Sequence, residues 1–372
     1  MAKIALVSDV HLGTRQYGIK ERYDDFIVAF ERFGQSAIDN KVDAVVIGGD
    51  LFDSPRPDAK SVLQAQYVVH QLESMGIHVF GIDGNHDLSN CGWMQVVGAH
   101  ALFDGIPVSN GRLVPGVKIV GVNYKNGRDL IEAILQMIRD GVTADVLVAH
   151  FALAEMNGGG SADTGVQELS PLLNKLGVKC VMMGHVHIPE AKMWNGVLYV
   201  NPGSTEMKAA NEPTDKYYFI VDTDTWSAEP IPIETREMRT VEICNETDMA
   251  KFQQELTSEA ERVANGVLER RPFYHVIADD SIDDAFKRIS KTIHDTSAIA
   301  RIVMRSSKAR DLAPVVDRKE SINTLESAIE ARFPKESDEA KHIRTFLASP
   351  DPASIRLSVQ KFMEGESRTT PA

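Results

Sequence analysis

Gly81-Ile82-Asp83-Gly84-Asn85-His86-Asp87 follows the apolar run Ile77 to Phe80, so it reads as the turn closing a buried strand. Its two glycines allow close backbone approach to a bound ion or anion. Asn85 offers a neutral oxygen ligand, with the His86 imidazole beside it. Four more strand ends repeat the pattern: Ser8-Asp9-Val10-His11, Gly48-Gly49-Asp50, Ala149-His150 and Gly184-His185-Val186-His187. Each polar set comes just after an apolar run, where α/β sheets place their sites. Singly these pieces are weak, because a lone His-x-His is more often solvated than ligating and Gly-Gly-Asp fits any strand-to-loop turn. Together they hold five of the eleven histidines, each beside a small or acidic neighbour, and that conjunction predicts one dinuclear metal site. His70, His78, His100, His275, His294 and His342 have no such setting and read as ordinary.

Around this turn, strands are expected at Lys3 to Val7, Ala44 to Ile47 and Ile77 to Ile82. Helices between them carry Phe26, Phe30, Phe33 and Ala37 on one face, then Val62, Ala65, Val69 and Leu72 on another, with Asp58 as a cap. Strand and helix alternate at lengths that argue a largely parallel sheet. A second half repeats the plan: strands at Val117 to Val122, Asp145 to Ala149, Cys180 to Met183, Val197 to Val200 and Tyr217 to Val221, and a helix over Leu130 to Ile138. A Gly-rich loop, Asn157 to Gly160, should lie near the site. Pro230 and Pro232 read as a linker. Beyond it, strands at Phe273 to Ala278 and Ala300 to Met304 flank a helix over Ser281 to His294, with Ile282, Phe286, Ile289 and Ile293 on one face, which makes a small βαβ unit. Residues 320 to 363 read as helices broken near Pro334 and Pro350, and residues 364 to 372 as a disordered tail. The expected division is therefore 1–230, 236–310, 320–363 and 364–372.

The chain has 372 residues, more than one average domain, and 43% of them are hydrophobic, which suffices for a sizeable core. It has no apolar stretch able to cross a bilayer and no secretory signal at its start, so no membrane association is expected. Cys91, Cys180 and Cys244 have no metal-type spacing, and their odd number suits a reducing compartment, so the expected location is cytoplasmic. A net charge of −13 argues against a protein that grips nucleic acid by itself, although acidity is also simply common.

Two divalent ions about 3.5–4 Å apart need a ligand able to bridge them, and a carboxylate suits. Asp50 is the expected bridge. Asp9, His11, Asp50 and His187 are assigned to one ion, and Asp50, Asn85, His150 and His185 to the other. Such a mixed imidazole and carboxylate set suits Mn, Fe or Zn better than Ca or Mg. The ions would activate water and clamp a phosphate oxygen for in-line attack on phosphorus. His86 is left over, and suits the general acid that protonates the leaving alkoxide. Asp87 either orients His86 or caps the turn.

The order Asp-x-His, Gly-Gly-Asp, Gly-Asn-His-Asp, Ala-His, Gly-His-x-His resembles the calcineurin-like metallophosphoesterases over residues 3 to about 221. Within that superfamily, Asp9-Val10-His11-Leu12-Gly13, Gly49-Asp50-Leu51-Phe52-Asp53-Ser54-Pro55-Arg56-Pro57 and Val200-Asn201-Pro202-Gly203-Ser204 look like the SbcD and Mre-type recombination nucleases of bacteria and phages. The resemblance implies an α/β four-layer sandwich of two mixed sheets flanked by helices, a small capping domain and C-terminal helices. It also implies two divalent ions, manganese by family habit, and a C-terminal segment that docks an SMC-like ATPase of the SbcC type, with a homodimer in the complex. Asp53 stands where archaeal and eukaryotic members often carry His.

The expected function is a Mn-dependent DNA exonuclease and endonuclease, the catalytic subunit of a recombination and repair complex. The alternatives are a small-molecule or cyclic-nucleotide phosphodiesterase on the same fold, or a non-catalytic recruitment subunit, for which the ligand set looks too complete. Ile322, Leu325, Ile329 and Phe333, then Ile343, Phe346 and Leu347, then Ile355, Val359 and Phe362, form apolar stripes at helical spacing. They pack on the chain's own small domain or lie in a groove on the ATPase. The chain's acidity favours the partner, which would then supply much of the grip on DNA.

Overall fold

The structure, a computed structural model, describes residues 2–102, 114, 116–156, 162–209, 211–266, 270–280, 282 and 284–305. The loop expected over Asn157 to Gly160, the C-terminal helices of 320–363 and the tail of 364–372 lie outside the described residues.

The first half builds β1 (Lys3–Val7), α1 (Lys20–Asp39), β2 (Ala44–Ile47), α2 (Ala59–Ser74), β3 (His78–Gly81), α3 (Trp93–Val97) and β4 (His100–Ala101). The second builds β5 (Ile119–Val122), α4 (Gly127–Arg139), β6 (Val146–His150), α5 (Val166–Leu176), β7 (Cys180–Gly184), β8 (Glu190–Trp194) and β9 (Val197–Asn201). β10 (Lys216–Asp222) and β11 (Ser227–Ile233) return to the first half, giving a six-stranded sheet in the order β11-β10-β1-β2-β3-β4. The other sheet has five strands in the order β5-β6-β7-β9-β8. β1 to β4 are mutually parallel, as are β5, β6, β7 and β9, while β10, β11 and β8 run antiparallel to their neighbours.

The strands read as continuous apolar runs because both faces of each sheet are covered. Ala5 and Val7 of β1 and Val45 and Ile47 of β2 face Phe30, Phe33 and Ala37 of α1 and Ala65 and Val69 of α2. Their neighbours Ile4, Leu6, Ala44 and Val46 point the other way and meet Val146, Val148, Cys180 and Met182 of the second sheet. That sheet's far face packs on Leu130 and Ile134 of α4 and Leu169 and Leu173 of α5. The result is the four-layer α/β sandwich with mixed sheets. Asp58 caps α2 as expected, its side chain accepting from Ser61 N.

Pro230 and Pro232 do not form a linker. They lie inside β11, paired with Phe219 and Tyr217 of β10. β11 is the sheet's edge, and an edge strand tolerates prolines because its outward N–H positions need no partner. Beyond it, β12 (Met238–Ile243), α6 (Glu246–Ala264), β13 (Phe273–Asp279), α7 (Ala285–Thr296) and β14 (Ile299–Arg305) form a three-stranded sheet, β12-β13-β14, with two helices. This is one strand and one helix more than the expected βαβ unit. Ile282 precedes α7 rather than sharing its face, and Phe286 is 57% exposed, because α7 buries the narrow strip around Ala285 and Ile289.

Among the described residues, those within 2–278 and 284–303 make one compact unit, to which 279, 280, 282, 304 and 305 do not belong. Within that unit, buried Asp25 of α1 ties the core to the segment around β12. Arg236 grips it bidentately (Nε to Oδ2 2.7 Å, Nη2 to Oδ1 2.8 Å), Arg22 Nη1 donates to Oδ2 at 2.7 Å, and Arg270 also donates to it. Among the described residues no helix is long and apolar enough to cross a membrane.

Candidate metal centre

The parallel strands of both sheets end at the same edge, and their following turns carry the polar residues singled out above. Asp9 and His11 follow β1, Asp50 follows β2, Asn85 and His86 follow β3, His150 ends β6, and His185 and His187 follow β7. The structure brings all eight together. Asp9, His11, Asp50 and His185 each adopt positive φ (52°, 50°, 51° and 92°). Left-handed backbone is rare outside glycine and costs about 1–3 kcal/mol per residue, so the fold holds these turns against local preference.

On one side, His11 Nε2 lies 3.2 Å from His187 Nε2, 3.9 Å from Asp9 Oδ1 and 3.8 Å from Asp50 Oδ2, and His187 Nε2 is 3.5 Å from Asp9 Oδ1. On the other, Asn85 Oδ1 sits 3.1 Å from His150 Nε2 and 3.0 Å from His185 Nδ1, and His150 Nε2 is 3.4 Å from Asp50 Oδ2. Asp50 Oδ2 thus faces both groups. Asp9 Oδ1 does so too, lying 3.9 Å from His150 Nε2.

The outer nitrogens fix the rings. His150 Nδ1 donates to Gly48 O at 2.9 Å, and His187 Nδ1 meets Glu212 Oε1 at 2.7 Å, which leaves each Nε2 facing inward as a ligand must. Glu212 is steadied by Lys216 Nζ and Ser204 Oγ. Asp53 Oδ1 lies 3.4 Å from His11 Nδ1 and 2.7 Å from Lys208 Nζ. The Asn201 amide donates to Val186 O and Ile188 O and so holds the His185-x-His187 turn; the Asn201-Pro202-Gly203-Ser204 stretch does more than turn the chain. Sequence reasoning missed Glu212, Lys208, Lys216 and Tyr124, whose ring lies 6.0 Å from that of His185. Glu212, Lys208 and Lys216 are remote in sequence from the ligand-bearing strand ends, and Tyr124 follows β5, whose end carries no metal-type residue to mark it.

Two glycines explain themselves by close approach. A Cβ on Gly49 would lie 2.5 Å from His150 Nδ1, and one on Gly84 2.2 Å from Asp50 Oδ1. His86 N donates to Asp50 Oδ1 at 2.8 Å, and its half-exposed ring stands edge-on to His11 with centroids 4.8 Å apart. His86 Nδ1 donates to Asp53 O at 3.1 Å. Asp87 does not orient His86. It is buried and accepts from Gly84 N at 2.7 Å and Phe52 N at 3.1 Å, which closes the turn.

The electrostatics call for cations. Burial opposes charge on His150, yet its hydrogen bond to Asp50 and the fields of Asp9 and Asp50 lift its pKa to about 9. Burial likewise opposes charge on His187, and the hydrogen bonds to Asp9 and Glu212 lift it to about 9. Burial would neutralise Asp9, but the His187 hydrogen bond and three surrounding imidazoles hold its carboxyl far below the usual range. Burial lowers His11 and His185. Two carboxylates, an amide oxygen and four imidazoles aimed at one point are a donor set that suits borderline divalent ions, so the residues present fit a two-ion centre.

Residues 2–189 match the family described as Calcineurin-like phosphoesterase. The chain is 27% identical over 353 residues to the DNA double-strand break repair protein Mre11 of Haloferax volcanii, covering 91% of this chain and 68% of that protein. Against the Mre11 protein of Aeropyrum pernix it is 30% identical over 267 residues, 65% of this chain and 64% of that one. Against that of Archaeoglobus fulgidus it is 28% identical over 283 residues, 66% of this chain and 62% of that one. The matches therefore span about two thirds of these relatives' own length.

Proposed function

The chain belongs to the calcineurin-like phosphoesterase family, and from that premise we propose that it is a manganese-dependent DNA nuclease, exonuclease and endonuclease both, acting in double-strand break repair. The observation that carries the reading is the convergence of seven donor residues from five strand ends of two sheets. The relatives' description as double-strand break repair proteins supports the substrate.

Asp9, His11, Asp50 and His187 would hold one ion and Asp50, Asn85, His150 and His185 the other, with Asp50 shared. When bound, such a pair supplies Lewis acidity, which activates water at neutral pH and offsets charge on the phosphate oxygens. The chain's own residues do the rest. Gly48 O, Glu212 and Asp53 hold the imidazoles in place. His86 is anchored through Nδ1–H to Asp53 O, so in its imidazolium form the proton on Nε2 is the one given to the leaving alkoxide, which leaves the neutral ring still bonded through Nδ1–H.

Residues 236–310 act as a cap over the nuclease domain, and 320–363 dock an SbcC-type SMC-like ATPase in a complex built on a homodimer of this chain in the cytoplasm. The net charge of −13 supports a division of labour in which the partner contributes to the hold on DNA.

The test sets linear duplex and supercoiled plasmid beside a chromogenic bis-aryl phosphodiester, all with manganese. Cleavage of all three is expected. Cleavage of the aryl ester alone would overturn the DNA reading in favour of a small-molecule phosphodiesterase.

A further inference from the structure

A second group of metal-type donors stands at the opposite end of the first sheet. His78 opens β3, His100 opens β4, and Glu73 lies in the last turn of α2. β3 and β4 are parallel, so both histidines sit at the strands' N-terminal ends, whereas the phosphoesterase centre follows the C-terminal ends. Glu73 Oε2 is 3.2 Å from His78 Nδ1, and Glu73 Oε1 is 3.6 Å from His100 Nε2. One donor atom from each of the three residues fits within a span of 4.8 Å.

The carboxylate does not wander, because Val79 N donates to Oε1 at 2.7 Å. The two imidazoles meet nearly edge to face, with centroids 5.7 Å apart, and His100 also leans on the Phe80 ring. A hydrogen bond between His78 and Glu73 would account for two members of the group. It leaves out His100, whose Nε2 is too far from the carboxylate to bond to it yet faces it. Donors bound at about 2.0–2.1 Å to a tetrahedral ion lie about 3.3 Å from one another; the 3.2 Å from His78 Nδ1 to Oε2 matches such an edge, and His100 Nε2, which faces the other carboxylate oxygen, comes into place by a small side-chain rotation. The side chains of Glu73, His78 and His100 are 25%, 30% and 39% exposed, which leaves a way in. Among the described residues no lysine or arginine pairs with Glu73.

We propose that Glu73, His78 and His100 bind a third divalent ion, separate from the phosphoesterase centre. Two imidazoles and one carboxylate suit Zn²⁺ or Co²⁺ rather than Mg²⁺ or Ca²⁺, with water in the fourth position. The ion joins the end of α2 to the first residues of β3 and β4, and so clamps the outer edge of the sheet.

Full-length protein is loaded with Mn²⁺, titrated with Co²⁺ and desalted. Total bound metal is then counted by elemental analysis and visible absorption recorded. Wild type is expected to hold one ion per chain more than His100→Ala or Glu73→Gln. The difference spectrum should show the intense bands of four-coordinate Co²⁺. Affinity for that ion should fall at least about 100-fold in either variant, beyond the usual cost of losing even an outer-shell partner. Phosphodiester hydrolysis should stay at the wild-type level in both variants. Asp50→Ala should keep this ion, so failure of the phosphoesterase reading would leave the result standing. Should His100→Ala not fold, Glu73→Gln gives the same comparison. Equal metal counts in wild type and the folded variants, or a difference spectrum without four-coordinate bands, overturns the site.

Discussion

Replacing Gly84 by alanine tests how closely the turn after β3 is fitted to the metal centre. The added Cβ would lie 2.2 Å from Asp50 Oδ1 and 2.4 Å from Asp50 N, whereas ordinary contact begins at 3.4 Å. The carboxylate must therefore retreat by roughly 1.2 Å, and the backbone obstructs any compensating shift. A displacement of about 1 Å in a reacting assembly costs on the order of 100-fold in rate. Gly84→Ala should thus lose at least about 100-fold in kcat/KM for a bis-aryl phosphodiester and bind manganese more weakly by calorimetry. Gly84 has no positive φ, so the effect is steric rather than conformational. Gly141→Ala supplies the control: its φ is +71° with nothing within 4 Å of the new Cβ, so it should cost stability alone, about 1 kcal/mol, and leave kcat/KM unchanged. If Gly84→Ala keeps wild-type metal affinity and turnover, the packing argument is wrong.

His86→Ala should keep its metal but lose about 10²–10⁴-fold in turnover on DNA, the usual worth of a general acid, with a smaller loss on a nitrophenyl ester whose leaving group needs no proton. Equal losses on both substrates would make it a ligand or positioning group instead. Asp25→Ala leaves buried Arg236 without its counter-ion and Arg22 with Glu206 alone, and urea denaturation should report a loss of about 3–5 kcal/mol; a change below about 1 kcal/mol would mean the node does not stabilise the fold. Deleting 320–363 should abolish co-purification with the ATPase and leave manganese-dependent cleavage of a small phosphodiester intact; retention of the partner at full affinity would refute the docking segment.

The core of the fold was legible because period and chemistry agreed. Apolar runs ending in Asp9, Asp50, Asn85, His150 and His185 announce parallel strands buried on both faces, and the same ends announce the site. Edges were harder to read. β8 is exposed along Lys192 and Met193, so it shows no apolar run, and β11 contains prolines that suggest a break until its edge position is known. α6 was missed although Asn245 caps it and Met249, Phe252 and Leu256 repeat at helical spacing. The outer support of the centre was legible only in part. The sequence offered Asp87 as a cap of its turn, which its bonds from Gly84 N and Phe52 N make it, but Glu212 and Lys208 reach the centre only through folding.

A dinuclear centre with Asp50 shared between two ions can be counted: manganese per folded chain is measured by elemental analysis in wild type and in Asp50→Ala, with phosphodiester hydrolysis on the same samples. Two manganese ions and activity are expected in wild type, and neither in Asp50→Ala. Two ions and full activity retained in Asp50→Ala would contradict the shared centre.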